Sequence, residues 1–176
     1  MFLYSLLALA VVTALIFAAP LKAKVWATLA VVAAGALWAS ATAVGVLAGG
    51  HTVRLWATDV FLFGSDAGSM DPLSALFALI VSVGAVAAVL YSRGYLAHYL
   101  GRKSPTHISL HYTALATMFY AMLGVVTSEG GFSFLFFWEL MTVASFLLIL
   151  FDAERRELFR TSGADAVIGE LGATYE

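Results

Sequence analysis

Five apolar runs of similar length, separated by short polar breaks, constrain this chain more than any other feature in it. They cover residues 2–19, 25–47, 73–91, 110–126 and 132–151. Each is close to the roughly 20 residues that cross a hydrocarbon core. Inside hydrocarbon every backbone N–H and C=O must be satisfied within the segment, so a run of this kind spans as an α-helix. The remainder offers no rival core, because 62% of the residues are hydrophobic and only 11% are charged. Soluble domains carry about 25% charged residues, and this chain has too little polar surface to cover a fold in water. The expected fold is all-α: a polytopic bundle of about five transmembrane helices over residues 1–152, then a polar segment over 153–176.

The breaks have recognisable chemistry. The first run stops at Pro20 and the second at Gly49-Gly50, while the third opens with Asp71 as N-cap and Pro72 at the first helical position. A cleaved signal peptide would place positive charge before its apolar core. Here Lys22 and Lys24 follow the core instead, so the first run is expected to be a retained helix. Between the second and third runs, "HTVRLWATDVFLF" is rich in threonine, valine and aromatic residues. That composition allows a short β-hairpin, although a loop capping the bundle is the plainer expectation. Trp56 and the phenylalanines suit a membrane interface.

Basic residues set an orientation. With five spans, eight of the nine lysines and arginines fall on one side: Lys22, Lys24, Arg93, Arg102, Lys103, Arg155, Arg156 and Arg160. Only Arg54 falls on the other. The positive-inside rule then places the N-terminus outside and the C-terminus in the cytoplasm of a multi-pass protein of the cell inner or plasma membrane.

Several function classes drop out. The net charge of −2 comes with no basic patch apart from the membrane-flanking loops, so nucleic acid is not a partner. The absence of cysteine removes disulfides, iron–sulfur clusters and cysteine zinc sites. Of the histidines only His107 and His111 stand at i, i+4, a spacing too weak to carry a metal site. No cofactor-binding motif is present, and no cofactor is expected in this chain.

One side chain resists the apolar pattern. In "FLFFWELMTVASFLLILF", residues 134–151, Glu139 is the only acidic or basic group well inside any run. Intramembrane acids are costly and functional by default, facing a bundle interior or a water-filled path. Desolvation favours the protonated form of any carboxyl, and a carboxyl poised in this way can relay protons. Thr142 and Ser145 follow on a neighbouring sector, at about 100° per residue, and are candidates to hold water or the carboxyl. His111, with Tyr112, is a candidate to feed protons from the inner end. The bland alternative is a glutamate that bonds across helices, although such bonds average only about 0.6 kcal/mol in membranes. Glu129 of "TSEGG" reads as a solvated turn residue. Tyr91, Tyr95 and Tyr99 read as an interfacial belt. The small residues of "VSVGAVAAVL" read as close helix packing.

At this point a family resemblance enters. "HYTALATMFYAMLGVVTSEGGFSFLFFWELMTVASFLLILFD" resembles the fourth and fifth helices of the antiporter-like membrane subunits. That family includes the large proton-pumping subunits of respiratory complex I, Mrp-type sodium/proton antiporter subunits, and membrane subunits of formate hydrogenlyase and hydrogenase-4-type complexes. "FWELM" followed by "SFLLI" is the most specific element, and "MDPLSALFALIVSVGAVAAVLYSRGYL" is similar to the family's third helix. The resemblance covers about residues 53–152. It implies that Glu139 is a proton-channel residue, that the N-terminus is outside, and that an outer hairpin lies between the second and third helices. Family members have about fourteen helices, and their glutamate works against a lysine in a later, broken helix. This chain has five runs and no lysine inside any of them, and "TSGADAVIGELGATYE" is too polar, with Asp165 and Glu170, to resemble a sixth. It is therefore expected to be a split or truncated subunit, completed by another chain that carries intramembrane lysines.

The sequence thus reads as a non-redox membrane subunit of an ion-translocating redox complex, of hydrogenase or NADH:quinone oxidoreductase type, with "LYSRGYL" tilting it to the hydrogenase branch. It would hold the glutamate half of a proton path. The rivals are a Mrp-type Na+/H+ antiporter subunit and a non-conducting structural subunit. The orientation is directly testable, since the chain has no cysteine of its own. Cysteines placed at Gly50 and Ser128 are expected to react with an impermeant maleimide in intact cells, and those at Ser104 and Arg155 only after lysis. Reaction of Ser104→Cys from outside overturns the topology.

Overall fold

The computed structural model describes residues 16–17, 19–20, 23–60, 64–97 and 105–151. These form, in order, α1 (Lys24–Gly49), β1 (Val53–Val60), β2 (Gly64–Met70), α2 (Pro72–Ala97), α3 (Pro105–Thr127) and α4 (Gly131–Phe151). All four helices are long and apolar enough to cross a membrane, and they coincide with the last four apolar runs. The first run, apart from Ile16, Phe17 and Ala19, lies outside the described residues, as do Tyr99 and the segment 153–176.

Two helices outrun their apolar stretches. α2 continues past residue 91 to Ala97, and α3 begins at Pro105 rather than at 110. Helical hydrogen bonding does not stop at the hydrocarbon edge, and side chains with apolar stems and polar tips extend it into the interface. Arg93 illustrates this. Its guanidinium lies 5.2 Å from the centroid of the Trp26 ring, clipping the last turns of α2 to the first turn of α1.

On α1 most inward-facing residues are small, and large ones face outward on both α1 and α2. α1 buries Thr28, Val32, Ala36, Ala39, Ala43 and Val46, in steps of three or four that mark one helix face. Leu37 and Trp38 of the same helix point outward, as do Phe77 and Ile80 of α2. Lipid tails are as apolar as leucine, so burying a large side chain gains little, and small residues let the helices approach closely. Gly35 and Gly124 make two of these approaches. The Tyr120 ring rests where a Cβ on Gly35 would be, and its hydroxyl donates to the Val31 carbonyl at 2.8 Å. The Phe137 ring of α4 likewise occupies the space over Gly124 of α3. Gly84, within the "VSVGAVAAVL" stretch expected to pack closely, is instead exposed with open space beside it. There it is Ser82 and Val89 that turn inward. One buried cluster joins Val32, Val89, Ile108, Phe119 and Phe151 across all four helices. A second joins Ala43, Val46, Met70, Ala75 and Ala78 beneath the sheet.

The sheet is the hairpin that the composition of β1 allows. β1 and β2 pair antiparallel from Val53 opposite Met70 to Val60 opposite Gly64, with an irregularity between Arg54 and Trp56. Its second strand, "GSDAGSM", has little strand character of its own. It is held by its register with β1, by the Trp56 indole lying against Gly68, and by Met70, which is 1% exposed between α1 and α2.

The helix ends are capped by local chemistry. α1 closes on Gly50, in the left-handed region at φ 63°, whose N–H donates to the Val46 carbonyl at 2.8 Å. The start of α1 has no side-chain cap; there Lys24 is almost fully buried, and its ammonium donates to the carbonyls of Ile16 and Phe17, ahead of the helix, at 3.0 and 2.9 Å. Asp71 caps α2 as expected, with Ser74 N–H donating to its Oδ1 at 2.6 Å. The Ser74 backbone bond, followed by its side chain, holds the Asp71 carboxyl below the usual carboxylate range. The cap therefore contributes stability that is fully present above the unfolded-chain value near 4 and is lost as pH falls through the lower folded value. Asp71→Ala is expected to cost about 1 kcal/mol at neutral pH. It should also remove part of the acid sensitivity of thermal unfolding in detergent that sets in as pH falls below about 4.

Candidate intramembrane carboxyl site

Glu139 stands eight residues beyond the start of α4, about 12 Å along its axis. α4 packs on the bundle through Ser133, Phe137, Ala144 and Phe151, which recur on one face. Glu139 is on the opposite face, exposed, in the company of Leu135, Val143 and Phe146. Among the described residues no hydrogen bond or ion pair reaches its carboxyl.

The other sequence candidates are distributed rather than gathered. Thr142 shares the exposed face one turn on, but its hydroxyl donates to the Trp138 carbonyl of its own helix at 3.0 Å. Ser145 is half-buried on a different sector. His111 of α3 packs its ring against Phe151, with centroids 4.7 Å apart, and against Tyr95 at 6.2 Å. Phe151 is twelve positions beyond Glu139, or about 18 Å along α4. Glu139 and Thr142 therefore share a surface, and His111 belongs to an aromatic group at the far end with Tyr91, Tyr95 and Tyr112.

A carboxylate that sequence reasoning passed over sits at the start of the same helix. Asp66, on β2, is 5% exposed and reaches the first turn of α4. Ser133 N–H donates to its Oδ2 at 2.9 Å, and Ser133 Oγ lies 3.0 Å from its Oδ1, which also accepts from Ala67 N–H at 2.9 Å. A Cβ on Gly130 would collide with this carboxylate, which explains the glycine. The turn between α3 and α4 adds to the sheet as well: Glu129 N–H donates to the Ala67 carbonyl at 2.9 Å, and Ser128 bridges Gly68. Glu129 itself is exposed, as its turn composition suggests. A negative group among the free N–H groups of a helix start is favoured by the helix dipole as well as by the bonds. The sequence signal for this arrangement is faint, because 67 residues separate the partners.

Glu139 is thus an exposed acid near mid-helix, on a face that is otherwise apolar apart from Thr142. Antiporter subunit mnhA2 of Staphylococcus saprophyticus is 35% identical over 82 residues, which is 47% of this chain and 10% of the relative. Na(+)/H(+) antiporter subunit A1 of Staphylococcus aureus, in strains JH9 and Newman, is 39% identical over 87 residues, 49% of this chain and 10% of the relative. Over about half of its length the chain is thus similar to these antiporter subunits. No family model matches it. The matched segment spans about a tenth of the length of these curated relatives.

The exposed face has a chemical readout. With the chain alone in detergent, a hydrophobic carbodiimide is expected to modify Glu139, detected by mass spectrometry and absent in Glu139→Gln. Slower modification in membranes that hold an assembled complex is the result expected of a face covered by other protein. Equal rates in the two states would show that the face stays open.

Proposed function

We propose that this chain forms part of a Na+/H+ antiporter assembly of the Mrp type and contributes the glutamate of its proton path. The observation that carries the proposal is the position of Glu139: an acid near the middle of a spanning helix, outside the four-helix packing, with no partner among the described residues. An ionised carboxylate facing hydrocarbon is strongly disfavoured, so this face is completed by protein that supplies a cation, a hydrogen-bond donor or water. The family resemblance names a lysine from a later helix for that place. The completing element is another part of a longer subunit or a separate chain. N-terminus outside and C-terminus cytoplasmic complete the proposal, on the eight-to-one partition of basic residues.

The printed names of the relatives are antiporter names, and they favour this assembly over a redox-linked one. Membership of a hydrogenase or NADH:quinone oxidoreductase type complex stands on "LYSRGYL" and on kinship within the family. A purely structural subunit accounts less well for Glu139, because bundle-stabilising polar groups turn inward and this one turns out.

Proton uptake into vesicles holding the assembled complex, normalised to subunit content, separates conductor from scaffold. Glu139→Gln keeps size and hydrogen-bonding capacity and removes titration, so uptake is expected to fall about tenfold or more with assembly intact, in the range of removing a proton-transfer group. Glu139→Asp, retracted by one methylene, should retain part of the rate. Wild-type uptake by the glutamine variant rules out the conductor role.

A further inference from the structure

We propose that Asp66 is a positioning residue for Glu139: the hairpin carboxylate fixes the axial placement of α4, and with it the depth at which Glu139 lies in the membrane. This rests on the reading of Glu139 as the ion-transfer group, and extends it to a residue outside the hydrocarbon.

α4 needs such a reference. It is the least buried of the four spanning helices, with 11% of its apolar stretch buried against 44% for α3. Lateral packing of that extent resists sliding and rotation weakly. At the start of α4, by contrast, Ser133 is wholly buried and Asp66 nearly so, and the contacts between them are directional. The backbone bond from Ser133 N–H to Oδ2 and the Ser133 hydroxyl near Oδ1 are charge-assisted, a class shorter and stronger than neutral pairs. The Ser133 hydroxyl has one proton and two acceptors in reach, since the Gly130 carbonyl is 3.1 Å away. The backbone bond is therefore the invariant part of the grip. A displacement of α4 along its axis by 1 Å would break it.

The grip is referred to the rest of the bundle. β2 continues to Met70, which is locked between α1 and α2. The Ala67 carbonyl holds Glu129 N–H at the end of the α3–α4 turn. From Asp66 a short hydrogen-bonded route thus leads to the best-packed helices, and Glu139 follows Ser133 by six residues on a rigid helix.

The test uses the assembled complex with a single cysteine placed at Val143, on the face of Glu139, and spin-labelled. Label depth is read from the ratio of oxygen to nickel-chelate accessibility, and proton uptake is measured per assembled subunit. In Asp66→Ala the depth is expected to shift and uptake to fall about tenfold, on the scale by which small misplacements of a transfer group slow a reaction. Asp66→Asn retains one acceptor for Ser133 N–H and should lie between alanine and wild type in both readouts. Asp71→Ala removes a cap of the same chemistry from a different helix and should leave label depth unchanged. In a double-mutant cycle Asp66→Ala and Glu139→Asp should be non-additive, since both move the same carboxyl. Unchanged depth in Asp66→Ala overturns the proposal, and so does an equal loss of uptake in Asp66→Ala and Asp71→Ala. A depth shift alongside wild-type uptake by Glu139→Gln supports the anchoring of α4 and removes the transport role of Glu139 alone.

Discussion

The bonds between the Asp66 carboxylate and the first turn of α4 tie the hairpin to the last helix of the bundle. Asp66 is satisfied by the first turn of α4 and the adjoining strand, whereas Glu139 on the same helix finds no partner among the described residues. The contrast follows from where each lies. At the end of a helix, unpaired N–H groups are available and a negative charge is welcome. At mid-helix every backbone group is already engaged, and an acid must look to side chains or water. The hairpin spends its only well-buried acid, among the described residues, on anchoring. The helix that it caps carries its own acid on its exposed face.

The interior shows how a bundle coheres when solvent is as apolar as the core. Alanine, glycine, serine and threonine line the contacts, and specificity comes from a few shaped meetings: Tyr120 over Gly35, Phe137 over Gly124, Met70 between α1 and α2. Larger residues at those glycines would push helices apart, a loss that no hydrophobic gain offsets. The exposed leucines and phenylalanines, which would signal an interface in a soluble protein, are here the ordinary lining of a lipid-facing wall.

Much of this was legible in the sequence because membrane spans are written locally. Run length gives the helices, Asp71-Pro72 gives the start of α2, and Gly49-Gly50 gives the end of α1. Glu139 stands out because a lone acid in an apolar run needs no alignment to notice. What stayed hidden is what depends on distant pairing. β2 reads as a glycine–serine loop until β1 supplies its register, and Asp66 reads as a loop residue until Ser133 meets it across 67 positions. The facing of Glu139 was also out of reach, since hydropathy periodicity is lost when both faces of a helix are apolar. His111 is in the fold a ring among rings, packed against Phe151 and Tyr95, neighbours that the sequence does not show.

The separation between Asp66 and its helix carries a consequence in time. A ribosome adding about 5–20 residues per second needs roughly 3–13 s to pass from one partner to the other. Throughout that interval Asp66 has been made and its helix donor has not, so its carboxylate oxygens must be satisfied by other groups. The short glycine- and serine-rich strand that carries it tolerates the wait, because it offers little apolar surface for premature contacts. The contact between Asp66 and Ser133 is therefore among the later ones that this segment can form as it is made.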